Sequence, residues 1–148
     1  MRALITGGGN GIVSQELFDK YVSDNESFVE TGVLEGKKIV CYFSVSCRYC
    51  QLTARKISAM AERLSVPDTA VFYIFRGEYR TSQADKFFAK TGTKPFRYTF
   101  IGSDTLNPMT HGIVPVITFT ENGNIQKTFD YRNITESSVS EFFAAPEH

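Results

Sequence analysis

Residues 38–44 form a near-continuous apolar run, Lys-Ile-Val-Cys-Tyr-Phe-Ser, and three residues later Cys47-Arg48-Tyr49-Cys50 opens a segment with helical periodicity. An apolar run without alternation reads as a strand buried on both faces, so the chain must lay helices over each side of it. A helix that starts where such a strand ends aims its unpaired first-turn N–H groups, and the positive end of its dipole, at the Cys47 sulfur. That arrangement favours thiolate, the nucleophile of disulfide exchange, and Arg48 adds positive charge in the same sense. On this reading Cys47 attacks and Cys50, one turn further in, resolves the mixed disulfide. A static structural disulfide is the weaker alternative, because a chain of 148 residues can bury a core without a staple and so short a loop constrains the unfolded state little.

Periodicity and turn residues order the rest. Ser14 caps a helix over residues 14–22 with Leu17, Phe18, Tyr21 and Val22 on one face, and Val13 forms a hydrophobic staple with Phe18. Residues 23–37 read as an irregular connection or short strand around Phe28-Val29 and Val33-Leu34. The helix from Cys47 to about Leu64 buries Ile57, Met60 and Ala61 and is ended by Pro67. Residues 70–75 make a second buried strand, joined to the first by a right-handed parallel crossover. Ser82 caps a helix that buries Ala84, Phe87 and Phe88 and is closed by Gly92; residues 96–101 are a further strand and residues 102–112 a loop. Residues 114–119 form a strand with Pro115 near its start, Asn122-Gly123 is a hairpin turn, and residues 125–129 return antiparallel. A last helix from Thr135 carries Val139, Phe142 and Phe143. The aromatics Tyr42, Phe43, Phe72, Tyr73, Phe75, Phe87 and Phe88 fall at core periods and read as core.

Several functions are disfavoured. Gly7-Gly8-Gly9-Asn10-Gly11 lacks the full strand before it that a dinucleotide loop requires, so residues 1–13 read as a flexible lead-in and residues 14–148 as a single domain. Sixteen basic and sixteen acidic residues, with no basic run, give no field to recruit nucleic acid. No stretch has membrane-spanning length and no signal-peptide pattern opens the chain. The short patterns Asn25-Glu26-Ser27 and Asn133-Ile134-Thr135 do not settle the compartment. A metal site would need more ligands than one Cys-x-x-Cys, and only Cys41, His111 and His148 remain, so neither metal nor cofactor is expected.

The succession of strand, Cys47-x-x-Cys50 helix, parallel strand, helix, Ile113-Val114-Pro115 strand, Asn-Gly hairpin and closing helix resembles the thioredoxin superfamily over about residues 37–144. The resemblance implies an α/β fold, a three-layer α/β/α sandwich with a central mixed sheet of four to five strands and, here, an N-terminal extension. It implies a cis peptide bond before Pro115, placing that proline against the cysteines with the Val114 backbone turned outward to pair with an extended substrate segment. Cys47 and Cys50 would be catalytic, and Val114, Pro115, Arg48 and Tyr49 substrate-binding. The implied activity is thiol-disulfide exchange with protein thiols or disulfides and a redox partner protein, by a monomer. The added strand and helix before Pro115 look more like the TlpA-like, membrane-tethered members, which would make the lead-in a tether remnant and the location extracytoplasmic. A redox-inactive peptide-binding or adaptor module is the competing class; two cysteines kept at the helix start argue against it.

Two departures stand out. Thioredoxins and several relatives carry a buried acid six positions before the first cysteine, where it helps shuttle the second cysteine's proton; here that residue is Cys41, read as a small packed hydrophobe. Water, Glu78, His111 or Glu121 would have to take the proton, or Cys50 is activated slowly. Ser46 replaces the usual aromatic, and Arg48-Tyr49 replaces the Gly-Pro of thioredoxin, a change expected to make the couple more oxidising.

Overall fold

The computed structural model describes residues 13–146; the glycine-rich lead-in of residues 1–12, and His148, lie outside the described residues. β1 (Lys37–Phe43) is the middle of a five-stranded sheet. β2 (Val71–Arg76) and β3 (Arg97–Ile101) lie parallel to it on one side. On the other side β4 (Val116–Glu121) runs antiparallel to β1, and β5 (Asn124–Phe129) antiparallel to β4. The spatial order is β3-β2-β1-β4-β5.

Alternate residues of β1 enter opposite cores, as the pleat of a strand requires. Ile39, Cys41 and Phe43 join the core under α3 (Arg48–Arg63), α4 (Thr81–Thr91) and α6 (Glu136–Ala144). Val40 and Tyr42 join the core under α1 (Gln15–Asp24), α2 (Glu26–Val29) and α5 (Ser103–Thr110). Burying one such large apolar side chain contributes about 1.5–3 kcal/mol. A one-residue slip of β1 would exchange every side chain between the two cores, so its register is strongly held. These layers are the three-layer arrangement anticipated from the sequence.

Local chemistry accounts for the ends of the elements. The Ser14 hydroxyl accepts from the Leu17 N–H (3.1 Å), and Val13 and Phe18 are buried in one cluster. Asn122 and Gly123 both take positive φ, as the tight β4–β5 turn needs, and Gln15 clamps α1 to that hairpin through Gly123 O and the Ile125 N–H. Thr135 and Ser138 cap α6 reciprocally.

Three expectations are corrected. Residues 102–112 are not a loop: α5 carries Pro108 inside it, because Leu106 and Met109 are drawn fully into the sheet-facing core while Asp104 and Pro108, where the missing N–H leaves a carbonyl unpaired, face solvent. The connection over 23–37 contains the short helix α2, set by Phe28 packing edge-on against Phe18, Tyr21 and Phe72. α3 spans the expected range and ends where Ser65 turns left-handed and the Val66 and Ser65 amides bond Ala61 O and Glu62 O, two residues before Pro67. α4 begins after Arg80, and Ser82 lies inside it rather than capping it.

Tyr73 sits among Phe43, Phe87, Phe88 and Phe96, and its buried hydroxyl has no hydrogen-bond partner. Tyr73→Phe is therefore expected to stabilise the protein by about 1 kcal/mol, read as a higher urea midpoint with unchanged slope.

Candidate active site

The chain leaves β1 through Ser44-Val45-Ser46, a turn closed by the Cys47 N–H bonding Ser44 O (3.2 Å). Gln51, only 8% exposed, holds the turn from below by donating Nε2–H to Val45 O (3.1 Å). Cys47 then occupies the N-cap of α3 with extended backbone angles, and its Sγ accepts the Cys50 N–H at 3.3 Å. A sulfur thus takes the role that a serine or aspartate oxygen has at most helix starts. Cys47 is half-buried, whereas Cys50 is buried on the inner side of the first turn, its Sγ accepting the Ser44 N–H at 3.4 Å. Both are free thiols. Burial, and then the neighbouring Cys47, push the Cys50 thiol well above its ordinary range; the Ser44 amide and the Arg76 charge act in the opposite direction.

Pairing across the sheet brings the second part of the site to this point. Tyr42 faces Val116 in the antiparallel β1–β4 register, so Pro115 and Val114 stand beside the end of β1 from which the cysteine turn departs. The Val114–Pro115 peptide bond is cis. Val114 and Cys47 both pack on the core that contains Cys50. Cys47, Cys50, Val114 and Pro115 are therefore brought together. Arg48 and Tyr49 lie on the exposed rim of the first helical turn. Tyr49 is 54% exposed, its ring 6.0 Å from that of Tyr131, over which the Lys56 ammonium sits at 5.1 Å. Ile113, 44% exposed, adds apolar surface next to the cis bond. A shallow groove of about 350 Å³, lined by Val45, Ser46, Gln51, Gln83, Lys86 and Phe87 among others, runs past the turn.

The proton acceptors suggested from sequence are not at the buried sulfur. Glu121 pairs with Lys37 at the far end of β1, about 20 Å from the cysteine turn at ~3.3 Å per strand residue. Glu78 and His111 share the cysteine end of the sheet but are exposed, Glu78 beside Arg80 and His111 at the left-handed C-terminus of α5. Cys41 is fully buried in the same core as Cys50, and desolvation drives its thiol strongly upward. It packs as the small hydrophobe expected. Sequence reasoning missed Gln51, which holds the cysteine turn, and Arg76, which ends β2 at the cysteine end of the sheet with its guanidinium on Asn107 and Gly112. A legible signal existed for Arg76, a cation closing a five-residue apolar run on the strand next to β1. Among the described residues no group of three or more His, Cys, Asp or Glu side chains could hold a metal, and no helix is long and apolar enough to cross a membrane.

No protein-family model matches the chain, nor does the sequence of any curated protein. Solved structures do. A secreted thiol-disulfide isomerase from Corynebacterium glutamicum superposes with a TM-score of 0.55 at 14% identity, over 77% of this chain and 71% of that one. A thiol:disulfide interchange protein from Bacteroides sp. gives 0.58 at 12% identity, over 80% of each chain. StoA from Bacillus subtilis gives 0.52 at 16% identity, over 74% of this chain and 84% of that one.

Two outcomes follow from the burial of the thiols. Alkylation of the reduced protein, followed by mass spectrometry, should modify Cys47 first and Cys50 slowly, with Cys41 reacting only after denaturant is added. Folding holds the Cys41 and Cys50 thiols above the ordinary value of 9.0, so their contribution to stability is complete below pH 9 and is lost as the unfolded thiols ionise above it. The urea midpoint of the reduced protein should fall between pH 9 and 10, less steeply in Cys41→Ala.

Proposed function

We propose that this chain, whose fold is that of the thioredoxin superfamily, is a thiol-disulfide oxidoreductase acting on protein substrates through Cys47 and Cys50. The observation that carries the reading is the inequality of the two sulfurs. One caps α3 and reaches solvent; the other is buried behind it on the same turn. An attacking thiol must be reached by a substrate disulfide, and a resolving thiol must be shielded from the substrate yet within a turn of the first. The steps balance as follows. The Cys47 thiolate attacks one sulfur of a substrate disulfide, a mixed disulfide forms, and a substrate thiolate leaves. Cys50 then attacks Cys47, the Cys47–Cys50 bond closes, and the second substrate sulfur is released. The chain's dithiol is oxidised and the substrate reduced by two electrons; run backwards, the same steps oxidise a substrate.

The Val114–Pro115 segment beside the cysteine turn would hold an extended substrate segment by main-chain hydrogen bonds. Tyr49 and Arg48 offer an exposed aromatic and a cation on the facing rim. We assign residues 14–148 to one working unit and its place outside the cytoplasm, the latter on its likeness to a protein described as secreted.

Wild type should reduce insulin in the presence of dithiothreitol, Cys47→Ser should lose that turnover, and Cys50→Ser should accumulate mixed disulfides through Cys47, visible on non-reducing gels. Turnover undiminished in Cys47→Ser would overturn the assignment and leave a peptide-binding module.

A further inference from the structure

α3 joins β1 to β2 and α4 joins β2 to β3, so both helices start at the carboxyl ends of the parallel strands, and they pack side by side on one face of the sheet. The helical period sets the stripes that they turn toward one another. On α4, Gln83, Lys86, Phe87 and Lys90 stand at i, i+3, i+4 and i+7; on α3, Arg48, Gln51 and Arg55 stand at i, i+3 and i+7. The Arg55 guanidinium crosses the seam at the end of α4, donating from Nε to Thr91 O (3.2 Å) and from Nη2 to Lys90 O (3.1 Å). The groove of about 350 Å³ follows this seam from Val45 and Ser46, in the cysteine turn, to Lys90. Its floor is apolar, half-buried Val45 and buried Phe87, and its walls are Gln51, Gln83 and the two lysines.

The charge along this groove has one sign. Lys86 and Lys90, both exposed, are its charged lining residues, and Arg48 and Arg55 stand on the α3 stripe across from them. The acids of the two helices lie elsewhere. Asp85 falls about 150° round α4 from its stripe at ~100° per residue, and Glu62 is about three turns beyond Cys50 on α3. Glu78, in the loop before α4, is held by Arg80 at 3.3 Å. Neither helix has an acid in its first turn, so the positive ends of both dipoles add to the potential at the cysteine end of the seam. A shallow basic channel over an apolar floor suits an extended acidic segment, whose carboxylates meet the ammonium groups while its carbon stems cover Val45 and Phe87. From Gln83 to Lys90 the stripe is about 10 Å long at ~1.5 Å per helical residue, the reach of about three extended residues.

We propose that the α3–α4 groove is a docking site for an acidic segment of the protein substrate next to its reacting cysteine, with Lys86 and Lys90 pairing with the carboxylates. This substrate class rests on the oxidoreductase reading above. Continuity with the dithiol supports it: Ser46 lines the groove and directly precedes Cys47, so a segment lying along the seam carries its own cysteine to the N-cap sulfur. The groove and the Val114–Pro115 segment are supplied by different elements, which gives the substrate two separate holds. The lysines touch the substrate away from the reacting sulfurs and act equally before and during exchange. Their effect therefore falls on KM and on encounter, and salt screens it because both ammonium groups are exposed.

The test compares peptide disulfides of one sequence, differing only in whether the cysteine is flanked by runs of Glu, Gln or Lys, with turnover driven by dithiothreitol. Wild type should favour the glutamate peptide over the glutamine peptide about tenfold in kcat/KM, through KM with kcat unchanged, since two exposed charge pairs together amount to roughly that factor. The lysine peptide should be the poorest. Raising the ionic strength from about 0.01 M to about 0.15 M should shrink the preference. Lys86→Gln combined with Lys90→Gln should remove it, and Lys86→Glu combined with Lys90→Glu should invert it. Lys94→Gln combined with Lys127→Gln, an equal loss of charge beside Asp68 and on β5, should keep the wild-type preference. A wild type indifferent to the flanking charge, a preference carried in kcat alone, or one that survives the Lys86 and Lys90 glutamines would each overturn the docking site while the peptides still turn over. A preference lost equally in the Lys94 and Lys127 glutamines would do the same. A wild type that reduces none of the peptides would overturn the oxidoreductase reading itself.

Discussion

The double-sided burial of β1 is the constraint on which the rest depends. Its side chains alternate between two cores, one roofed by α3, α4 and α6 and the other by α1, α2 and α5, so neither register nor position can shift without unpacking both. The end of that strand is consequently a fixed point. The short turn over Ser44, Val45 and Ser46, held by its own hydrogen bond and by Gln51, transfers that fixity to the first turn of α3. A pair of cysteines placed there inherits two different environments from one helical turn, with no further device needed to separate their chemistry.

The same strand organises its partner across the sheet. β4 pairs with β1 antiparallel, so β4 begins where β1 ends, and the residues just before it arrive at the cysteine turn. Parallel pairing of β2 to β1 does the same from the other flank, delivering Arg76 to that end. Three segments distant in sequence meet because their strands share the terminus of one central strand. This is the general tendency of open α/β sheets to form sites beyond the carboxyl ends of their parallel strands.

Electrostatically the site is unlike one organised around a buried acid. The position in β1 that faces the core holding Cys50 carries Cys41, whose thiol is kept neutral by burial. Burial and the neighbouring Cys47 push the Cys50 thiol up, and the Ser44 amide and Arg76 act the other way. Sequence identities of 12–16% to structures with this fold fit the view that hydrophobic patterning and strand order can be kept while residues around the dithiol are replaced.

The amino-acid sequence by itself determined the strand buried on both faces, the helix behind the cysteines, the parallel crossover, the Asn122-Gly123 hairpin and the closing helix, because each is written in local periodicity or turn chemistry that needs no distant partner. Cys47, Cys50 and Pro115 were legible for the same reason: a spacing of two and a Val-Pro strand start are local patterns. The tertiary structure alone decided three things. It made a helix of residues 103–110 despite Pro108, since the burial of Leu106 and Met109 outweighs one lost hydrogen bond on the solvent side. It removed Glu121 from the site, since an antiparallel strand carries its last residue to the opposite end of the sheet. And it brought Arg76 to the cysteine end of the sheet, a placement fixed by the register of β1 against β2, which no local pattern in either strand encodes.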